Sequence, residues 1–307
     1  MKNITHDEIK TLLNSVDTEA HYLLAPRRPA PAEVDKLRQL LLSSMSPEAD
    51  ATVSILGLDI FKYSQFEPLS QKLVPFVFRL LLERTIKGFG IAEPIMASFY
   101  PEGDIIGNRF IDSGDGGFLV LRNPLDSLIL AMLFVFNLQE FNSFHVYPKL
   151  REILGPLTVR YAITYDKIFR YGNNHYGPAI IRNARILSKD KLNRCLMDST
   201  SHDWFLLNTN GLESLRSMTL RELRFLEDYK DADPKIRKSL FFQSIEQNAQ
   251  GLKNLIVQRL EQISAKEQAF DVYNVMMQVT FHRLANDENF VIGNFTATLG
   301  NLNTAGL

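Results

Sequence analysis

The chain has 307 residues, 45% of them apolar, with 34 basic side chains against 35 acidic ones. That length and apolar share supply a sizeable core for one large domain or two small ones. The near-zero net charge gives no electrostatic footprint for nucleic acid or an anionic membrane surface, and neither is expected as a partner. A single cysteine, Cys195, excludes an intrachain disulfide framework and a cysteine-rich metal site, and leaves a buried, inert thiol as the expectation.

The opening MKNITHDEIKTLL is polar and helix-like and lacks a signal-peptide pattern. The longest apolar run, Leu128 to Phe136, is half the ~18 residues a bilayer span needs. The expectation is a reduced, soluble, cytoplasmic protein. Residues 1–48 read as one or two short helices broken by APRRPAPAE, with Pro31 in the first turn of the second and Leu37, Leu40 and Leu41 on one face. ATVSILGLDIF then changes period and reads as a buried strand ending near Asp59.

A helix follows over about 69–87, started or kinked by Pro75. Between 88 and 123 the pattern is strand, turn, strand, with the turn at Gly114-Asp115-Gly116-Gly117. Asn123-Pro124 is an N-cap with proline at the first helical position, ahead of a helix that is apolar nearly all round and so predicted to be buried. PLTVRYAITYDKIFRYG reads as a strand pair, GPAIIRNARILSKDK as an amphipathic helix and RCLMDST as a strand with a polar stop. To about 205 the reading is an α/β sandwich rich in antiparallel strands. From Ser239 to Asn286 the residues are almost continuously helix-forming, and the tail NFTATLGNLNTAGL reads as loose. The predicted organisation is an N-terminal helical segment 1–48, a core domain 49–238 and a C-terminal helical extension with a loose tail, 239–307.

Two carboxylates close apolar strand patterns, Asp59 after VSILGL and Asp115 in the turn before FLVL. Adjacent strands would bring them together, and two ionised carboxylates that close repel unless a cation lies between them. Hard ions such as Mg²⁺ or Mn²⁺ take few protein oxygens and complete their shell with substrate phosphates. The competing reading is two unrelated loop aspartates. In YGPAIIRNARIL, Ile180, Ile181, Ala184 and Leu187 can face a sheet, leaving Arg182 and Arg185 on the polar side. Arg185 is either a solvated surface arginine or a group that stabilises charge on a transferring phosphoryl.

The order of these parts resembles the class III nucleotidyl cyclase catalytic domain: apolar strand–Asp–Ile, helix, Gly-Asp turn, buried helix, Arg-x-Ala-Ile strand, then Gly-Pro-x-Ile-x4-Arg. It covers about residues 50–205, and it rests on the conjunction rather than on any single motif. The resemblance implies the ferredoxin-like, palm-type sandwich and two Mg²⁺ or Mn²⁺ ions held by Asp59, Asp115 and the Ile60 carbonyl. It also implies amides of Phe61, Lys62, Tyr63 and Ser64 around a triphosphate, and Arg185 neutralising the transition state. A homodimer with composite active sites follows, Arg185 coming from the second subunit.

The departures from that family set the expected substrate. Purine cyclases carry lysine or glutamate four residues before the second metal aspartate, where this chain has Ile111. The second base-reading position is Asn174 (or Asn173 with a gap), where adenylate cyclases have aspartate and guanylate cyclases typically cysteine. The transition-state asparagine falls on Ile181, with Asn183 as a shifted substitute, and the late triphosphate lysine has no clear counterpart. An asparagine amide both donates and accepts, so it can pair with uracil or cytosine, and Phe61 or Tyr63 could fill the volume a purine leaves. The combination resembles the pyrimidine cyclases of bacterial Pycsar anti-phage systems, stand-alone enzymes that make cUMP or cCMP for a separate effector. UTP is placed ahead of CTP. An inactive cyclase-homology module and a purine cyclase with unfamiliar base readers stay open. His175 reads as a solvated loop residue, Trp204 as a packing anchor, and Met276, Met277, Val279 and Phe281 as the buried part of a helix. His145, His202 and His282 lack metal-ligand spacing.

Overall fold

A computed structural model describes residues 7–8, 10–11, 30–44, 51–171, 174–242, 251–264, 269–284 and 291–307. The chain divides into two compact units, one of residues 53–166 and 179–307, the other of residues 1–52 and 167–178.

In the larger unit, strands β1 (Ala51–Ile60), β2 (Phe110–Asp112), β3 (Gly116–Leu121), β4 (Val159–Tyr171) and β6 (Cys195–Asp198) form one sheet with β7 (Gly251–Ile263), β8 (Phe270–Leu284) and β9 (Val291–Leu299). The order is β2-β3-β1-β4-β6-β8-β7, with β9 also on β8. Every described pairing in this unit is antiparallel except β4 with β6. The expected α/β sandwich rich in antiparallel strands is therefore what the chain adopts. Side chains alternate across the sheet. Leu56, Leu58, Tyr161, Ile163, Cys195 and Met197 join one core, while Ala162, Leu196 and Val272 join Ile186 and Leu187 in another. The first core includes helices α2 (Pro68–Ala92) and α3 (Pro124–Asn142); the second includes α4 (Pro178–Lys189).

Asn123 caps α3 as the sequence predicts, its side-chain oxygen accepting from the Asp126 amide at 2.9 Å. This helix is long and apolar enough to cross a membrane by composition, yet most of it is buried inside the fold. Cys195 is buried, and desolvation pushes its thiol up, as an inert core thiol requires.

The smaller unit contains helix α1 (Pro31–Ser44), opened by Pro31 as expected, with Leu37, Leu40 and Leu41 as half-buried positions. It also contains the hairpin made by the end of β4 with β5 (Asn174–Tyr176), where Phe169 and Tyr176 stack. Residues 12–29 and 45–50 lie outside the described residues, as do Gly172 and Asn173.

Four expectations need correction. Helix α2 runs on to Ala92 and carries Pro75 inside it, and short helices at Pro94–Ala97 and Asp104–Asn108 fill most of the region expected to open with a strand. The expected strand pair over 156–172 is one 13-residue strand, β4. Within the stretch 239–286 expected to be helical, residues 251–263 and 270–284 form the β7–β8 pair, residues 243–250, 265–268 and 285–286 lie outside the described residues, and Met276, Met277, Val279 and Phe281 are buried strand positions. Leu, Lys, Gln, Glu and Arg favour helix locally, but pairing along β8 overrides that weak preference. The tail is not loose: NFTATL belongs to β9, and the carbonyls of Asn301, Asn303 and Ala305 accept from buried side chains.

At the end of α2, the Glu93 carboxylate is fully buried and accepts from Ser239 Oγ, the Leu240 amide (2.7 Å) and the Phe241 amide (2.9 Å). Burial pushes its pKa from 4.5 up to about 7, against those three donors. The folded state then holds the proton more tightly than the unfolded one, so Glu93 makes stability fall as pH rises from 4.5 to about 7. Glu93→Gln should remove that slope, shrinking the difference between urea unfolding energies at the two ends by roughly 1 kcal/mol or more.

Candidate active site

The β1–β3 register sets Asp59 opposite Gly116, and the Ile60 amide donates to the Asp115 carbonyl at 3.0 Å. The two aspartates singled out in the sequence are thus neighbours across one ladder. The turn between β2 and β3 is closed by the Gly114 amide on Asp112 Oδ1 (2.7 Å) and the Ser113 amide on the Gly116 carbonyl (3.2 Å). Gly114 adopts φ +96°, a conformation that favours glycine. A Cβ on Gly116 would sit 2.1 Å from the Leu58 carbonyl oxygen, so this strand approach needs glycine there.

Asp59 is held by Arg160 of β4, whose Nε donates to Asp59 Oδ2 at 2.7 Å and whose Nη2 donates to the same oxygen. Burial raises the Asp59 pKa and the Asp115 charge adds to it, while Arg160 opposes both. Arg160 also lies over the Phe61 ring at 5.6 Å. The Arg-x-Ala-Ile pattern places Arg160 in a strand, and a lone arginine within an apolar strand is also a signal for a partly buried acidic partner.

The Phe61–Ser64 loop leaves β1 through Lys62, at φ 59°, into the helical turn Tyr63–Gln65. The Phe61 amide is engaged by the Thr158 carbonyl at 2.8 Å, and Tyr63 OH donates to the Gln71 carbonyl at 2.8 Å. Ile111 lies in β2 opposite Phe118 and is partly exposed. On α4, Arg185 and Ile181 are exposed, whereas Arg182 pairs with Asp166 and Asp198 and donates to Thr200. Asn174 is exposed in β5, in the smaller unit, opposite Tyr171. Trp204 is buried against Phe205, and His202 stacks on Tyr273.

Asn183 points into the fold. It is fully buried, and its amide nitrogen donates to the Ile55 carbonyl (2.8 Å), the Ala162 carbonyl (2.9 Å) and Thr164 Oγ1 (3.2 Å). It ties α4 to β1 and β4 and cannot also reach a substrate. Asn183→Ala should cost about 2–4 kcal/mol by leaving buried acceptors unpaired, read as a lower urea midpoint at unchanged slope.

Among the described residues, no group of three or more His, Cys, Asp or Glu side chains is placed to hold a metal ion. A cation here would have the two carboxylates and possible main-chain oxygen from the protein, and would complete its shell from water or phosphate. That donor set is all oxygen and fits Mg²⁺ or Mn²⁺ rather than zinc.

No protein-family model matches the sequence, and no curated protein matches it. Solved structures give distant likenesses. The guanylyl cyclase Cya2 is 12% identical, covering 80% of this chain and 98% of that one, with a TM-score of 0.40. The adenylyl cyclase CyaB from P. aeruginosa is 12% identical, covering 74% and 94%, with a TM-score of 0.41. The catalytic core of a rhodopsin-guanylyl cyclase of converted specificity, in complex with ATPalphaS, is 10% identical, covering 74% and 96%, with a TM-score of 0.44.

Proposed function

We propose that the protein is a nucleotidyl cyclase that converts UTP to 3′,5′-cyclic UMP and pyrophosphate. The observation that carries this reading is the β1–β3 register, which sets Asp59 and Asp115 side by side at the end of two buried strands. On this reading residues 49–238 hold the catalytic parts. Asp59, Asp115 and the Ile60 carbonyl would hold two Mg²⁺ or Mn²⁺ ions. When bound, such ions supply Lewis-acid chemistry to the attacking 3′-hydroxyl and the leaving pyrophosphate.

The chain's own groups do the rest. Arg160 neutralises Asp59, and were that carboxylate to hold a cation the planar fork of Arg160 would be available to a phosphate oxygen. The loop Lys62–Ser64 offers backbone and side-chain donors beside the same carboxylates. Arg185, exposed on α4, acts on the transition state of a second copy in a homodimer, where charge develops on the α-phosphoryl group. Ile111 removes the purine-reading hydrogen bond, and Asn174 supplies a donor and an acceptor to a pyrimidine edge. The cyclic product would act in the cytoplasm on a separate nucleotide-sensing effector in anti-phage defence.

The test is incubation of the purified protein with each of UTP, CTP, ATP and GTP and Mn²⁺, with products identified by mass. Cyclic UMP as the main product is expected. Cyclic CMP would keep the site and change the base, cyclic AMP or GMP would remove the pyrimidine reading, and no cyclic product from any triphosphate would favour a binding module.

A further inference from the structure

The guanidinium on Asp59 is held from behind. Arg160 Nη1 donates to the main-chain carbonyl of Asp190 at 2.7 Å, just after α4. That carbonyl belongs to a turn whose acidic side chain is saturated: Asp190 accepts from the Leu192 amide (3.1 Å), the Arg194 amide (2.9 Å) and Arg194 Nε (2.9 Å). Arg194 is fully buried, and its Nη1 reaches the carbonyls of Asn303 (3.2 Å) and Ala305 (2.6 Å) in the C-terminal segment. Asn301 closes the same contact from the other side, donating to the carbonyls of Leu192 (2.9 Å) and Asn193 (3.2 Å). The segment is itself ordered by Asn303 and Ala305 amides donating to the side-chain oxygens two residues before them, and by Asn274 donating to the Asn301 carbonyl at 2.8 Å.

A continuous chain of polar contacts therefore runs from the C-terminal segment through Arg194, the 190–194 turn and Arg160 to Asp59. A guanidinium anchored at one edge presents its other edge already oriented, so its contact with a carboxylate costs little further ordering. Release of the anchor removes that advantage and leaves Asp59 easier to reach for a cation that competes with Arg160.

We propose that residues 301–305, with Arg194 and Asp190, act as a strap that positions Arg160 on Asp59 and thereby sets how readily the Asp59 centre accepts a divalent cation. Arg194 and the strap are positioning groups; they touch neither substrate nor metal. The proposal rests on the reading of Asp59 as a cation ligand.

The experiment measures Mn²⁺ binding calorimetrically on the full chain, on a chain ending at Leu302 and on Arg194→Lys. The truncation removes both carbonyl acceptors of Arg194; the lysine keeps a cation beside Asp190 but loses the fork that reaches them. Both variants should bind Mn²⁺ about tenfold more tightly than wild type, the size of one charged hydrogen bond. In an Arg160→Met background, where the competitor is already gone, neither change should move Mn²⁺ affinity. A merely structural role would instead weaken Mn²⁺ binding, and would do so in both backgrounds. Unchanged or weaker binding in a variant with wild-type circular dichroism, or an equal gain without Arg160, overturns the strap while the site reading stands. Should Asp59→Asn bind Mn²⁺ as wild type does, the site reading falls and the strap with it.

Discussion

Replacing Asp115 with Asn is expected, on the proposed function, to leave the fold intact and to lower nucleotide cyclisation by at least about a thousandfold, or ~4 kcal/mol of transition-state stabilisation. The fold should survive because what Asp115 gives the ladder is its main-chain carbonyl, which accepts from the Ile60 amide, and asparagine keeps that group. What changes is charge. Asp59 and Asp115 interact unfavourably through space, and this is part of what raises the Asp59 pKa. Asparagine relieves that repulsion, so the variant should be as stable as wild type or slightly more so. Lost turnover with retained stability marks a carboxylate placed for function at a structural cost. Retained turnover in Asp115→Asn would remove it from the cation site.

Gly116→Ala is expected to damage stability and activity together. A Cβ there would lie 2.1 Å from the Leu58 carbonyl oxygen and 3.0 Å from Asp59 Cα, both backbone atoms that cannot rotate away. The strands must separate at the Asp59–Gly116 pair, the point that keeps the two carboxylates together. A cost of about 3 kcal/mol is expected from overpacking, measured by urea denaturation, with turnover falling as the Asp59–Asp115 spacing opens. An alanine variant of wild-type stability would contradict the tight strand approach.

Much of the site region was legible because its signals are local. Small and branched residues ending at Asp59, the Asn123-Pro124 cap and the existence of α4 each announce themselves within a dozen residues, although α4 buries Ala179, Asn183, Ile186 and Leu187 rather than the expected Ile181 and Ala184. The adjacency of β1 and β3 was only one of two readings open from the residues, and the register of the pair settles it. Long-range features were not legible in the same way. The Arg160–Asp59 pair joins residues 101 apart, and no spacing rule reaches that far. The C-terminal strands are hidden in the sequence because LKNLIVQRLEQI carries helix-forming side chains. Its strand state depends on β8, whose alternating core contacts lie elsewhere in the chain. Asn183 shows the opposite case. The sequence left it open as a substitute catalytic group, and its three buried acceptors assign it to packing. Asn183 and Gly57 explain each other, since a Cβ on Gly57 would fall 1.9 Å from Asn183 Oδ1.

The proposed activity requires a cation between Asp59 and Asp115. Crystals soaked in Mn²⁺ with a non-cyclisable UTP analogue, and measured for the anomalous signal of manganese, locate that cation directly. An anomalous peak within bonding distance of both carboxylates, with Arg160 withdrawn from Asp59, is the expected result. Manganese density elsewhere, or none while Arg160 still occupies Asp59, would contradict it.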